Sequence, residues 1–96
     1  MRDYELMVIL NPQMDPDQVK AAVERIQRSV TQRGGEVTHQ QEWGAHRRLA
    51  YPISHFREGN YILTRFRLDP AKAQEVRESL RLSEEVLRHL LVKVEA

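Results

Sequence analysis

The stretch WGAHRRLAYPI, residues 43–53, decides the fold that this sequence predicts, because it sets one edge of a β-sheet. Apolar residues alternate along Leu49–Ile53, which is the period of a strand. Pro52 has no amide hydrogen to give to a neighbouring strand, so this strand lies at a sheet edge or ends there. The stretch is predicted to be a long edge strand, bent near its glycine, that holds Arg47 and Arg48 at a fixed place.

Two uses fit the adjacent arginines of this edge. Charged side chains are a common protection of an exposed edge against pairing with another chain. Arginine is also the side chain that forks onto phosphate and stacks on bases, so the pair is a candidate anion-binding site. The pattern of residues 43–53 leaves both explanations open.

The composition predicts one small domain. Ninety-six residues suit a single modest core, and the absence of cysteine excludes a disulfide framework and a thiolate zinc site. A formal net charge of +1 argues against a strongly basic nucleic-acid binder, yet arginines outnumber lysines twelve to three. The charged N-terminus is not a signal peptide, and the apolar runs are too short to span a membrane.

Both predicted helices begin at an Asp-Pro pair. Asp15 can accept the first amides of one helix and Gln18 can reach back to complete a capping box, while Gly34-Gly35 ends it. The second helix begins at Asp69-Pro70 and ends within residues 82–85. Apolar residues at helical spacing form the predicted buried stripes: Val19, Ala22, Val23, Ile26 and Val30 in the first helix, and Ala73, Val76 and Leu80 in the second.

Three further strands follow from alternating apolar residues. The first runs to Asn11-Pro12, another covers Asn60–Leu68 after a turn at Ser54–Gly59, and the last covers residues 86–94. The even positions of each are predicted to face the core. The resulting order is β-α-β-β-α-β, an α+β ferredoxin-like split βαβ fold: a four-stranded antiparallel sheet with both helices on one face and the first and third strands in the middle.

This fold leaves one face of the sheet without helices. The apolar centre predicted for this open face is Met7, Ile9, Tyr61, Leu63, Leu87 and Leu91. A rim of charge surrounds it, formed by Glu5, Arg65, Arg67, His89 and Lys93. An apolar centre with a charged rim is typical of a surface that binds a protein partner. The alternative is a set of isolated exposed apolar residues, which are ordinary on protein surfaces.

The sequence offers no constellation that indicates an enzyme. The four histidines are scattered, without metal-ligand spacing or a partnered carboxylate, and no serine lies in a nucleophile motif. Gly34-Gly35 is better explained as a helix end than as a phosphate-binding loop. We therefore expect no catalytic residues, cofactor, metal or small-molecule substrate.

Taken together, these segments resemble the bacterial small-subunit ribosomal protein S-six family. The resemblance is carried by MRDYE at residues 1–5 opening an apolar strand, by Asn11-Pro12, and above all by Trp43-Gly44 followed by RRLAYPI at residues 47–53. It covers the whole chain and implies a single ferredoxin-like RNA-binding ribosomal domain over residues 1–96. It further implies a cytoplasmic structural constituent of the small ribosomal subunit that binds small-subunit ribosomal RNA together with ribosomal protein S-eighteen, as a heterodimer.

Within that resemblance, Arg47 and Arg48 are candidates for bidentate phosphate contacts, with His46 as a further donor. Arg2 and Arg88 lie at an end and a flank of the same predicted sheet and complete the RNA-binding set, or are solvated surface charges. This chain has one residue more than the family usually has between its Gly and its Leu in the 43–53 motif, which leaves open the face from which each arginine projects.

Two other classes share the architecture. An RNA-recognition-motif-like module outside the ribosome would stack bases on aromatic residues of the two central strands, but here only Tyr61 falls on the open face. Trp43 could stack on a base or simply pack against a neighbour. A small ferredoxin-like enzyme, such as an acylphosphatase-like hydrolase, or a dimeric regulatory domain is the other class, and for the enzyme the convergent catalytic groups are missing.

Overall fold

A computed structural model describes residues 1–43, 47–53, 56–81, 83 and 85–94, and it describes only the backbone of residues 47, 48, 50–53 and 56. Two helices and five strands form in the order β1 (Arg2–Leu10), α1 (Pro16–Thr31), β2 (Glu36–Glu42), β3 (Arg47–Ile53), β4 (Phe56–Leu68), α2 (Pro70–Arg81) and β5 (Val86–Val94). In the described part of the chain, neither helix is long and apolar enough to cross a membrane.

The strands form one antiparallel sheet whose order is β2-β4-β1-β5, with β3 also paired to β4. The two central strands are therefore β1 and β4, and the predicted ferredoxin-like fold is confirmed. Both β2 and β3 pair with β4, β2 along Ile62–Arg67 and β3 along 56–59. The predicted edge is thus present as two successive strands, and the predicted bend at Gly44 lies outside the described residues.

The turn predicted at Ser54–Gly59 is too long. Strand β4 begins at Phe56, where it pairs with Ile53, and Gly59 pairs with Arg47. Residues 54 and 55 lie outside the described residues. The polar residues Arg57 and Glu58 suggested a loop, but their side chains are exposed while their backbone extends the β3–β4 hairpin, so pairing overrides their low strand propensity.

Helix α1 begins and ends at the capping residues that the sequence predicted. The Asp15 carboxylate accepts a hydrogen bond from the Gln18 amide at 2.8 Å, and the Gln18 side chain accepts one from the Asp15 amide at 2.9 Å, which is the predicted capping box. At the other end, Gly34 adopts φ 82° and the Gly35 amide donates to the Val30 carbonyl at 3.0 Å. This 6→1 bond closes the helix in a Schellman motif.

The core lies between the helices and one face of the sheet. The even positions of β1 and β4 are buried there, and Leu6, Val8, Leu10, Ile62, Thr64 and Leu68 have no exposed surface. The apolar stripes predicted for both helices pack onto them, so helices and sheet form one cluster, as predicted. The opposite face of the sheet carries the odd positions of β1 and β4.

The faces predicted for β5 are wrong over most of its length. Val86 pairs with Leu10 on the core side as expected, but the register then shifts, and Arg88 pairs with Ile9. Directly paired residues of antiparallel strands project from the same face. Beyond this bulge, Leu91 lies opposite Leu6 on the helix side. The one-residue shift moves every later side chain to the other face, which the even spacing of the sequence could not reveal.

Candidate RNA and partner interface

The open face of the sheet is charged at one end and apolar at the other. At the charged end, Arg65 Nε lies 3.1 Å from Glu5 Oε2, and Arg67 Nε lies 3.4 Å from Asp3 Oδ1. Each pair joins residues directly opposite in β4 and β1. These arginines are therefore neutralised within the sheet and contribute little net positive potential.

The predicted apolar centre is partly covered by the chain itself. Ile9 and Leu63 are exposed by only 8% and 6%, and Leu49 of β3 by 7%. A Cβ placed on Gly59 would meet both Ile9 and Leu49, so these side chains close over the end of the sheet. Ile9 and Leu63 were predicted to belong to an exposed partner surface, and their burial corrects that prediction.

Met7 and Tyr61 remain half-buried on the open face. The ring of Tyr61 stacks on Trp43, with centroids 6.4 Å apart and planes 27° from parallel. Of the two roles considered for Trp43, the structure therefore shows packing. The stack also occupies one side of the only aromatic residue that the central strands place on this face in the described part of the chain.

Among the sheet residues whose side chains the structure describes, the large exposed apolar ones lie on β5, and the sequence analysis missed them. Leu90, Val92 and Val94 are exposed by 58%, 47% and 42%. They lie opposite Met7, Glu5 and Asp3, on the open face. One signal was available in the sequence. Arg88 is an even-numbered residue like Leu90, Val92 and Val94, and an arginine at a supposed core position indicates that the even positions face solvent.

Two residues of β5 that were predicted to face the partner, Leu87 and Leu91, lie elsewhere in the structure. Leu91 packs against the core cluster on the helix side, which removes it from the open face. Leu87 is half-buried and falls within the register shift between Val86 and Arg88. His89 and Lys93 lie opposite Val8 and Tyr4, so they too belong to the helix side rather than to the predicted rim.

Among the predicted RNA-binding residues, Arg2, Arg88 and the backbone of Arg47 lie far apart on the sheet. Arg88 is exposed opposite Ile9, at the end of the sheet where Arg47 pairs with Gly59. Three strand spacings separate these backbones, which is about 14 Å. Arg2 is exposed at the other end of β1 opposite Leu68, about 24 Å along the strand from Ile9. His46 and the side chains of Arg47 and Arg48 lie outside the described residues.

The titratable groups of the described residues do not assemble a metal site. No group of three or more histidine, aspartate or glutamate side chains among them could hold a metal ion. The pKa of His89 is lowered from its usual 6.5 by burial and by the positive charges of Arg77 and Arg81. Among the described residues, the open face therefore presents the exposed apolar side chains of β5 and the exposed cation Arg88.

Comparison with known proteins agrees with this arrangement. The family model described as ribosomal protein S6 matches residues 3–93. This chain belongs to the ribosomal protein S6 family. It is a small ribosomal subunit protein, which places it in the bacterial cytoplasm, and the family is one of structural proteins rather than enzymes, as the sequence predicted.

Relatives in the ribosomal protein S6 family match almost the whole chain. Small ribosomal subunit protein bS6 of Moorella thermoacetica is 37% identical over 95 residues, which is 99% of this chain and 96% of that one. The bS6 of Carboxydothermus hydrogenoformans is 40% identical over 93 residues, 97% of this chain and 96% of that one. The crystal structure of 30S ribosomal protein S6 from Thermotoga maritima superposes with a TM-score of 0.91 at 30% identity, covering 97% of this chain and 87% of that chain.

Proposed function

We propose that this protein binds small-subunit ribosomal RNA together with ribosomal protein S-eighteen, and that the partner docks on the open face of the sheet. The observation that carries the proposal is the stripe of exposed apolar residues Leu90, Val92 and Val94 on β5. With the half-buried Met7 beside them, these side chains form an apolar centre in which only Met7 belongs to the set that the sequence analysis assigned to this face.

Burial of this exposed stripe would stabilise a complex with a partner. Covering three half-exposed aliphatic side chains contributes about 2 to 4 kcal/mol. The pairs Asp3–Arg67 and Glu5–Arg65 supply a polar rim along the side of the stripe, since Asp3 and Glu5 lie directly opposite Val94 and Val92. An apolar centre with a polar rim is the usual anatomy of a protein interface, whereas an RNA backbone would gain nothing from the aliphatic stripe.

The charge of the chain supports joint rather than independent binding of RNA. Its formal net charge is +1, which supplies little long-range attraction to phosphate. Arg65 and Arg67 are already neutralised by carboxylates. The candidate phosphate contacts are therefore few: Arg2, His46, Arg47, Arg48 and Arg88. A basic partner on the open face would add cations and join these residues into a longer surface.

The test is a titration of a small-subunit ribosomal RNA fragment at physiological salt, with the protein alone and with saturating partner. We expect weak binding alone and at least about tenfold tighter binding with the partner. Tight and specific binding by the lone chain, unimproved by the partner, would overturn the joint mechanism. No binding under either condition would overturn the assignment of ribosomal RNA itself.

A substitution on the stripe separates partner docking from RNA contact. Leu90→Asp places a charge in the proposed apolar centre, and we expect the affinity for the partner to fall at least about tenfold because a buried unpaired charge is costly. Ala21→Asp adds the same charge at an exposed position of α1, outside the sheet, and should leave both affinities unchanged. Equal behaviour of the two variants would exclude the stripe from the interface.

A further inference from the structure

A second group of cations lies on the side of the molecule away from the open face, where α2 meets the outer strand β5. We define the α2–β5 flank by Arg77, Arg81, His89 and Lys93. Arg77 and Arg81 are one helical turn apart and exposed, so they project from the same side of α2. His89 and Lys93 project from the helix side of β5, opposite Val8 and Tyr4 of β1.

The field within this flank is positive. His89 feels the charges of both arginines, which add to its burial in lowering its pKa. Within the described strands, the residue opposite His89 is the uncharged Val8 of β1, and β5 places Lys93 four residues further along the same face. The carboxylate of Glu78 pairs with Arg81 at 3.2 Å.

The flank differs from the arginines of the open face because two of its cations have no carboxylate partner within the described part of the chain, although its Arg81 pairs with Glu78. Arg65 and Arg67 each have a carboxylate partner directly across the sheet. Among the residues that the structure describes, Arg77 and Lys93 take part in no ion pair. Cations left without carboxylates on a surface attract an anionic ligand more strongly than paired ones.

We propose that the α2–β5 flank is a second RNA-binding surface, which takes a phosphate backbone through Arg77 and Arg81 on the far side of the sheet from Arg47 and Arg48. The inference rests on the proposed function, since it assigns a further surface to the same ribosomal RNA ligand. The strands β2 and β3 form one edge of the sheet and β5 forms the other. The protein then contacts two separate segments of RNA and fixes their spacing.

The chemistry of the flank favours RNA over an acidic protein partner. A protein interface needs an apolar centre, but the residue that shares the face of His89 and Lys93 between them is Leu91, which packs inward against the core. The exposed aliphatic residues of β5 project from the opposite face. Arginine forms forked hydrogen bonds to phosphate, so exposed arginines without an apolar centre indicate a phosphate ligand.

The first test uses the full chain with its partner bound to a small-subunit ribosomal RNA fragment. Arg77→Ala combined with Arg81→Ala removes two cations from the flank. We expect the log-log salt dependence of RNA affinity to become shallower by about 1.4 to 1.8 units, for two lost phosphate contacts. The matched control, Lys20→Ala with Arg28→Ala, removes two exposed cations from α1 and should leave the slope unchanged. Restoring the charge with Arg77→Lys and Arg81→Lys should recover most of the salt slope that the two alanine substitutions remove.

The second test follows the His89 ring by NMR across a pH titration, with and without the RNA fragment. Phosphates bound to the two arginines would favour the charged imidazole, so we expect the pKa of His89 to rise when RNA binds. A poly-glutamate peptide serves as the competing ligand. A rise with the peptide and none with RNA would overturn the proposal in favour of an acidic protein partner.

The outcomes separate this inference from the proposed function. RNA binding that needs the partner, with an unchanged salt slope in the Arg77→Ala, Arg81→Ala variant and an unmoved His89 pKa, would overturn only the second surface. Failure of the chain to bind the RNA fragment at all, with or without partner, would overturn both. A shallower slope together with a raised His89 pKa would establish the flank as an RNA contact.

Discussion

Gly59 lies so close to Ile9 that a side chain at position 59 has no room: an added Cβ would collide with Cγ2 of Ile9 and lie 3.3 Å from Cδ2 of Leu49. This contact is where the β3–β4 hairpin closes over the open face. Because Cγ2 of a β-branched residue cannot swing away, we expect Gly59→Ala to lower the free energy of unfolding by about 1 to 3 kcal/mol. Chemical denaturation of Gly59→Ala and the parent protein measures this difference in the free energy of unfolding.

A double-mutant cycle identifies the colliding residue. Ile9→Ala is destabilising by itself because it empties a buried site, but it also removes the Cγ2 methyl. In that background, Gly59→Ala should cost clearly less than in the parent protein. An equal penalty in both backgrounds would show that Ile9 is not what excludes a side chain at position 59.

The sequence was sufficient where structure depends on local chemistry. Asp15, Pro16 and Gln18 specify the start of α1 through hydrogen bonds within one turn, and Gly34 specifies its end through a positive φ angle. The central strands were equally predictable, because their even positions are apolar and pack against two helices with matching stripes. The β-α-β-β-α-β order follows from these elements and from the handedness of their connections.

The faces of β5 depended on a non-local feature. Its even positions are mostly apolar and half of its odd positions are polar, so alternation favoured the even positions as the core face, which is wrong beyond the register shift. The choice is made by the register shift between Ile9 and Leu10, a property of pairing between segments that are far apart in sequence. The same shift explains why the sequence analysis assigned Leu91 to the open face, where the structure places Leu90 instead.

A buried polar network links α1 to the sheet. The Gln40 side-chain oxygen accepts hydrogen bonds from the Thr64 hydroxyl at 2.9 Å and from Gln27 Nε2 at 3.2 Å. Thr64 has no exposed surface, so Gln40→Ala leaves its hydroxyl unsatisfied. We expect a loss of about 1 to 3 kcal/mol in the free energy of unfolding, measured by chemical denaturation.

The neighbouring Gln41 is the matched control, because it is exposed and projects from the open face. Gln41→Ala should change stability by less than about 0.5 kcal/mol. Thr64→Val added to Gln40→Ala should recover part of the loss, since it removes the unsatisfied hydroxyl. If Gln40→Ala proves as mild as Gln41→Ala, the network contributes nothing to stability.

The two arginines at the start of β3 carry the next prediction. Arg47 and Arg48 pair with Gly59 and Glu58 in an edge strand, where substitution of a side chain leaves the backbone pairing in place. In the RNA complex with partner, Arg47→Ala with Arg48→Ala should make the log-log salt dependence shallower by about one to two units. Circular dichroism should show an unchanged fold.

The control is again a loss of two cations elsewhere, Lys20→Ala with Arg28→Ala on α1. Combining the β3 variant with the substitutions at Arg77 and Arg81 tests whether the two surfaces act separately, because independent phosphate contacts add in the salt slope. A parent-like slope in the Arg47→Ala, Arg48→Ala variant would assign this pair to protection of the sheet edge instead.

The last prediction concerns the pH dependence of stability. Burial, and then the charges of Arg77 and Arg81, lower the pKa of His89 in the folded protein below 6.5. As the pH falls through about 6.5, the unfolded chain binds a proton at this histidine while the folded chain resists it. The unfolded state then holds more protons, so His89 makes the free energy of unfolding decrease with acidification until its folded-state pKa is passed.

His89→Gln should remove this decrease, and the free energy of unfolding should vary less between about pH 7 and 5.5, where few carboxylates titrate. Arg77→Ala should remove part of it, because burial and Arg81 continue to lower the pKa of His89. His39→Gln, on the exposed face of β2, controls for the loss of a histidine that lies away from α2. Denaturant unfolding at several pH values gives the comparison. An identical pH dependence in His89→Gln and the parent would mean that His89 titrates alike in the folded and unfolded chains, and that the arginines of α2 do not act on it.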